Sequence, residues 1–128
     1  MDIQRREQVA DQFSRIVVHG RTAYFAGLVA DESGQDIVGQ CQQVLDKLDG
    51  LLREVGGNRS SLLTMTVYLK NFEDYPYFKK VYADWIDTDN LPARATVRAD
   101  LRDPALLVEI MAIAAAGADN RGSFDENL

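Results

Sequence analysis

Residues 91–116 read LPARATVRADLRDPALLVEIMAIAAA, and the arrangement of the other elements depends on how this stretch folds. Two runs rich in apolar, β-branched and small residues, 93–101 and 106–115, are separated by the turn residues 102–104, Arg-Asp-Pro. This pattern predicts an antiparallel hairpin. A charge inside a half-buried strand is unfavourable unless it is paired with an opposite charge or needed for function. Arg94, Arg98 and Glu109 are charges of this kind.

The register of this expected hairpin decides what Glu109 does. A four-residue loop at 102–105 would place Glu109 opposite Arg98, and the two would form a cross-strand ion pair without a catalytic role. A two-residue loop would instead place it opposite Thr96, between Arg94 and Arg98. The residues leave both registers open.

The segments before this stretch show clear secondary-structure signals. Residues 13–19 and 22–26 are short strand-like runs joined at Gly20, which tolerates the backbone angles of a tight turn. From Ile37, apolar residues recur at three- and four-residue steps, which predicts an amphipathic helix that Asp36 caps and Gly56-Gly57 end.

Two more elements precede residue 91. Residues 61–70 alternate polar and apolar side chains, as a half-buried strand does. Asp74 is placed to cap a second helix with Pro76 in its first turn. The predicted element order is therefore ββαβαββ, and the predicted fold is a two-layer α+β domain with one mixed sheet and both helices on one face.

The expected domain organisation is simple. Residues 13–116 form a single domain, 1–12 are a lead-in or frayed first turn, and 117–128 are a flexible acidic tail too poor in apolar residues to pack. Because the second sheet face is also apolar, we expect another subunit to cover it.

Composition limits the classes of partner. The net charge of −6 and the pI near 4.7 argue against nucleic acid, because that affinity depends on clustered Lys and Arg. With one cysteine no intrachain disulfide can form, and Cys41 lies on the apolar helix stripe as a core residue. No apolar run approaches the length of about 18 residues that a membrane span needs, so we expect a cytoplasmic protein without membrane contact.

Arg94 is a functional candidate by its residue type and position. It directly follows Pro92-Ala93 at the start of a strand, where a guanidinium can hold a planar carboxylate with two parallel N–H bonds. An ordinary ion pair at the rim of the sheet is the alternative.

Several short motifs together resemble the Rid family, the reactive intermediate deaminases of the YjgF type. The resemblance covers residues 13–115, and its most specific part is Pro-Ala-Arg at 92–94 followed by Val-Glu-Ile at 108–110. The other matching segments are Gly20, Ala26-Gly27, Gly56-Gly57 and Tyr-Leu-Lys at 68–70.

The resemblance implies a chorismate-mutase-like fold and a homotrimer with active sites in the clefts between subunits. It implies hydrolysis of reactive enamines and imines, such as 2-aminoacrylate, to 2-keto acids and ammonia, with no metal or cofactor. The substrate carboxylate would bind Arg94, and Glu109 would be associated with the hydrolytic water.

The same resemblance implies a substrate pocket that departs from the family pattern. Phe13, Ala26 and Thr96 stand where the family has tyrosine, serine and cysteine, and Gly27 offers its backbone N–H. The loss of hydroxyls keeps two alternatives open: a non-catalytic module that binds small carboxylates as a sensor or interaction partner, and a hydrolase of another substrate that uses the same cleft.

Overall fold

The computed structural model describes residues 2–117. Of the tail expected at 117–128, only Gly117 is described, and its N–H donates to Val55 O at 2.8 Å; residues 118–128 lie outside the described residues. The described residues contain six strands and two α-helices: β1 (Ile3–Val9), β2 (Phe13–His19), β3 (Thr22–Leu28), α1 (Ile37–Glu54), β4 (Leu62–Leu69), α2 (Tyr75–Trp85), β5 (Ala93–Arg98) and β6 (Val108–Ala115).

The strands form one mixed sheet in the order β1-β2-β3-β6-β4-β5. Only β4 and β5 are parallel, and the other neighbouring pairs are antiparallel. The inward-facing side chains of the central strands and the apolar stripes of both helices form one core. The predicted two-layer α+β class is therefore confirmed.

The predicted hairpin between the two runs of residues 91–116 is wrong. β5 pairs with β4, whereas β6 lies between β3 and β4. β5 and β6 are therefore not neighbours in the sheet. The physical reason is the α2 crossover, since a strand that returns from such a crossover pairs parallel to the strand that preceded it. Glu109 consequently lies opposite Tyr68, and neither predicted register occurs.

The element order also needs correction at the N-terminus, where the expected lead-in or frayed turn contains strand β1. This edge strand pairs with β2, and its side chains are mostly exposed, so it shows no apolar alternation. The three-residue turn that follows, 10–12, has Ala10 and Asp11 at φ 49° and 55°, where glycine or asparagine is usual, and this removed the usual hairpin signal.

The predicted cap of α1 and the predicted turn at Gly20 are confirmed. Asp36 caps α1, with its Oδ1 accepting from Gly39 N at 2.9 Å, and Gly20 has φ 63° in the turn between β2 and β3. Pro76 lies in the first turn of α2, as predicted. The prediction that Asp74 caps this helix is wrong, because its backbone is already helical, at φ −78° and ψ −7°, and its side chain makes no capping hydrogen bond. Neither helix in the described part of the chain is long and apolar enough to cross a membrane.

An ion pair and a tryptophan hold α2 against α1. The Asp49 carboxylate accepts from Arg59 Nε at 3.0 Å and Nη2 at 2.9 Å, and from Trp85 Nε1 at 3.1 Å. Burial raises the pKa of Asp49, but the hydrogen bonds from Arg59 and Trp85, with the charge of Arg59, outweigh it and leave that pKa below its usual value. This contact sets the position of the aromatic residues on α2.

Candidate functional site

Arg94 lies among aromatic rings from α2. Its Nη2 donates to Tyr75 Oη at 3.0 Å, and its Cζ lies 4.7, 5.4 and 5.9 Å from the ring centroids of Tyr82, Phe78 and Tyr75. These distances lie within the range of cation–π attraction. We call this group, Arg94 with Tyr75, Phe78 and Tyr82, the arginine cage.

The spacing of α2 produces the cage. Tyr75, Phe78 and Tyr82 recur at three- and four-residue steps and therefore share one face of the helix. Phe78 is fully buried, and burial raises the pKa of Tyr82 although the charge of Arg94 opposes this. Arg94 reaches the rings because it lies beside Met65 on β4, whose side chain points into the core.

The cation of the cage has no counter-ion within residues 2–117. Arg94 is half-buried, and of its five N–H groups one donates to Tyr75, while no carboxylate of the described residues lies within 4.0 Å. On the same face of β5, the Thr96 hydroxyl is buried and also lacks a partner in this part of the chain. A half-buried cation beside an unsatisfied hydroxyl is an arrangement that an anionic ligand would stabilise.

Four of the predicted site residues meet at a second place. Phe13, Ala26, Gly27 and Glu109 line a cavity of about 300 Å³, which we call the glutamate pocket. Its remaining lining residues are Val29, Arg102 and Leu106. The pocket is therefore largely apolar, with one carboxylate and one guanidinium.

Gly27 and Glu109 are in close contact across this pocket. The register between β3 and β6 shifts between Phe25 and Leu28, so Ala26 and Gly27 form an irregularity beside Glu109. A Cβ on Gly27 would overlap Glu109 Oε2 and would lie 2.9 Å from its Cδ. The absence of a side chain at position 27 thus allows the carboxylate to occupy its place.

Gln40, which the sequence reading did not single out, holds the segment that leads into Glu109. It is completely buried, and its amide group donates to the carbonyl oxygens of Ser33, Gln35 and Ala105 at 3.1, 3.0 and 2.9 Å. Its Oε1 accepts from Leu107 N at 2.9 Å. The available signal was a glutamine on the apolar stripe of α1, at a position where a side chain must be buried.

The arginine cage and the glutamate pocket lie on opposite faces of the sheet. Arg94 shares the helix-covered face with Met65, whereas Glu109 alternates with the buried Val108 and Ile110 and points to the other side. The structure therefore separates Arg94 and Thr96 from the other four predicted residues within one chain. It also removes Arg98 as the counter-charge of Glu109.

Cys41 plays no part in either group. It is fully buried, and burial raises the pKa of its thiol to about 12, so the thiol is protonated at neutral pH. The interpretation of Cys41 as a core residue is confirmed.

The arginine cage, which has no counter-ion within residues 2–117, and the glutamate pocket lie on a two-layer α+β domain with one mixed sheet. Residues 4–116 match the family model described as Endoribonuclease L-PSP. The chain belongs to this family, the Rid or YjgF family.

Individual relatives agree with this assignment. A RutC family protein of Haemophilus ducreyi is 36% identical over 110 residues, which are 86% of this chain and 94% of the relative. A solved structure of a YjgF family member from Neisseria meningitidis matches with a TM-score of 0.87 at 29% identity, covering 91% of this chain and 97% of that one. The 3-aminoacrylate deaminase RutC of Acinetobacter baylyi is 28% identical over 71% of this chain and 76% of its own length.

Proposed function

We propose that this protein is a cofactor-independent deaminase that hydrolyses 2-imino acids, of the 2-iminobutanoate and 2-iminopropanoate type, to 2-keto acids and ammonia. The observation that supports this most is the caged Arg94, a half-buried cation without a counter-ion in residues 2–117. The name of the Acinetobacter relative, 3-aminoacrylate deaminase, agrees with a small unsaturated amino acid as substrate. The cytoplasm, where such intermediates form, is the proposed location.

The proposed reaction needs little more than positioning. Arg94 binds the carboxylate of the iminium ion, which is already electrophilic, and a water attacks its C2 while the C=N π electrons move to nitrogen. Glu109 takes the proton released by the water and passes it to the amine. The C–N bond then breaks while the hydroxyl oxygen forms the C=O bond and returns its proton to Glu109, so ammonia leaves and the keto acid remains.

The other predicted residues would shape the substrate site. Phe13 and Ala26 supply an apolar wall, and Gly27 offers its backbone N–H beside Glu109. Thr96 would direct its unpartnered hydroxyl toward the group held by Arg94. An enamine would enter the same reaction after protonation at C3 to the imine.

We further propose that the active sites lie between copies in a homotrimer. A single chain presents Arg94 and Glu109 on opposite sheet faces, so one small substrate cannot touch both. The sheet face away from the helices exposes Tyr24, Val97 and Met111 by 44%, 42% and 42%. An apolar face of this kind favours burial against another copy, which would bring the arginine of one chain to the glutamate of the next.

Replacing Arg94 with alanine tests the proposed function. An amino-acid oxidase generates the imine in situ, and semicarbazide trapping reports its lifetime. We expect wild-type protein to shorten that lifetime and Arg94→Ala to lower kcat/KM by roughly 10- to 100-fold, because it removes charge-assisted hydrogen bonds to the carboxylate. Arg98→Ala, on the same strand and exposed, is the control and should retain activity. Unchanged imine decay with wild-type protein would contradict deamination.

Mixing two inactive variants tests the shared site. Arg94→Ala and Glu109→Gln chains, unfolded together and refolded, should recover about a quarter of wild-type turnover, since one site in four would draw both intact residues from different copies. Either variant refolded alone should keep only its own low residual turnover. A mixture as inactive as its components would show that both residues act from one chain.

The binding-module alternative predicts a different outcome of the first experiment. Phe13 and Ala26 bring no hydroxyl to the pocket, so the protein would bind a keto acid through Arg94 without shortening the life of any imine. RNA cleavage, which the family description names, is less compatible with a net charge of −6, because phosphate contacts need clustered cations.

A further inference from the structure

The Tyr75 hydroxyl, at the start of α2, lies against the guanidinium of Arg94. It accepts a hydrogen bond from Arg94 Nη2 at 3.0 Å. Arginine carries only donors, so the tyrosine oxygen must be the acceptor and its own hydrogen must point elsewhere. Within residues 2–117 that hydrogen has no acceptor.

We propose that Tyr75 and Arg94 together form a carboxylate clamp, in which the tyrosine O–H and the free guanidinium N–H groups donate to the same anionic group. The proposal rests on the proposed function in one respect, namely that Arg94 binds the substrate carboxylate. It adds Tyr75 as a substrate-binding residue that donates a hydrogen bond to that carboxylate.

The structure holds the Tyr75 ring in one orientation. Phe72 stacks on it with a centroid distance of 5.5 Å and an interplanar angle of 6°, and Phe78 lies on α2 at 6.4 Å. Tyr75 begins α2 and is followed by Pro76, whose ring restricts the backbone there. A hydroxyl on a fixed ring loses little entropy when it binds a ligand.

The donor geometry suits a carboxylate in particular. The two oxygens of a carboxylate offer about four lone-pair sites, enough to accept from the guanidinium and from a hydroxyl together. Tyr75 and Arg94 are both half-buried, so an approaching group remains accessible while water is partly excluded. The Thr96 hydroxyl, two residues further along the same face of β5, is buried and has no hydrogen-bond partner within residues 2–117.

The clamp also compensates for residues that the glutamate pocket lacks. Phe13 and Ala26 contribute no hydroxyl to substrate binding, whereas Tyr75 provides one on the side of the arginine. A substrate would therefore be held at its carboxylate end by hydroxyl and guanidinium donors and enclosed elsewhere by apolar walls. The clamp accordingly selects 2-imino and 2-keto acids over the corresponding amides.

Tyr75→Phe tests the clamp, because it keeps the ring in the cage and removes only the hydroxyl. The matched control is Tyr77→Phe, which loses an exposed hydroxyl from the same helix. We measure the Kd of 2-oxobutanoate by calorimetry, then kcat and KM for imine hydrolysis. We expect Tyr75→Phe to raise Kd and KM about tenfold with kcat nearly unchanged, and Tyr77→Phe to stay within about twofold of wild type.

A neutral ligand separates binding from a merely structural role. For 2-oxobutanamide, which lacks the carboxylate, Tyr75→Phe should change the Kd by less than about twofold. Equal losses for acid and amide, equal effects of both variants, or no binding of 2-oxobutanoate to wild-type protein would overturn the clamp.

The two proposals fail in different ways. If wild-type protein leaves imine decay unchanged but Tyr75→Phe still weakens 2-oxobutanoate binding, deamination is wrong and the clamp stands. If wild-type protein hydrolyses imines and Tyr75→Phe matches it in Kd and KM, the clamp is wrong and deamination stands.

Discussion

Gly27→Ala is expected to lower imine turnover roughly a hundredfold while leaving the fold intact, since a displacement of about 1 Å in a catalytic group has an effect of this size. The new methyl group would take the space of the Glu109 carboxylate, whose Cδ lies 2.9 Å from the Cβ position. Glu109 must then rotate away from the pocket. Steady-state kinetics on an imine generated in situ measures the loss.

Gly34→Ala is the matched control for this substitution. A Cβ at position 34 meets no atom within 4 Å, so this variant should turn over imines at the wild-type rate. If Gly27→Ala were as active as Gly34→Ala, the position of the Glu109 carboxylate would be irrelevant to the reaction.

A double-mutant cycle tells whether Gly27 acts through Glu109. Glu109→Gln alone should lower turnover by about 10²- to 10⁴-fold, the usual contribution of a general acid or base. Adding Gly27→Ala to that variant should then change turnover by less than about threefold, because the carboxylate that glycine accommodates is already absent. Independent, multiplying losses would place Gly27 in a separate role.

Gln40→Leu is expected to have the largest effect on stability, about 4 kcal/mol in the free energy of unfolding. Leucine fills the same buried volume but leaves three carbonyl oxygens and the Leu107 N–H without their partner. Urea unfolding at equal protein concentration measures the change, because an oligomer gains stability with concentration.

Gln42→Leu, the same change at an exposed position of α1, should alter stability by about 0.5 kcal/mol or less. A similar small effect of Gln40→Leu would mean that water or other groups replace the amide. Because Gln40 also binds the segment that leads into Glu109, residual folded Gln40→Leu protein should show lower turnover than Gln42→Leu.

Elements whose signals are local in the chain were predictable, and residues whose partners are distant were not. The start of α1 was predictable from Asp36 and from the apolar residues that recur after it. The turn at Gly20 was predictable from the strand-like runs on either side. Both signals involve residues that are close in the chain. Arg94 and Glu109 stood out because charges are rare in such apolar strands. Gln40 and Tyr75 did not, since their partners lie far along the chain.

Sequence alone therefore determined the class of fold, the positions of both helices and of five strands, and the residues that merit attention in 91–116. Only the tertiary structure decided which strands pair, that β1 exists, and on which face each charge lies. The reason is that β6 lies between β3 and β4 through hydrogen bonds between distant segments, which leave no local pattern. The stretch read as one hairpin is two strands separated by β4, and that separation directs Arg94 and Glu109 to opposite faces.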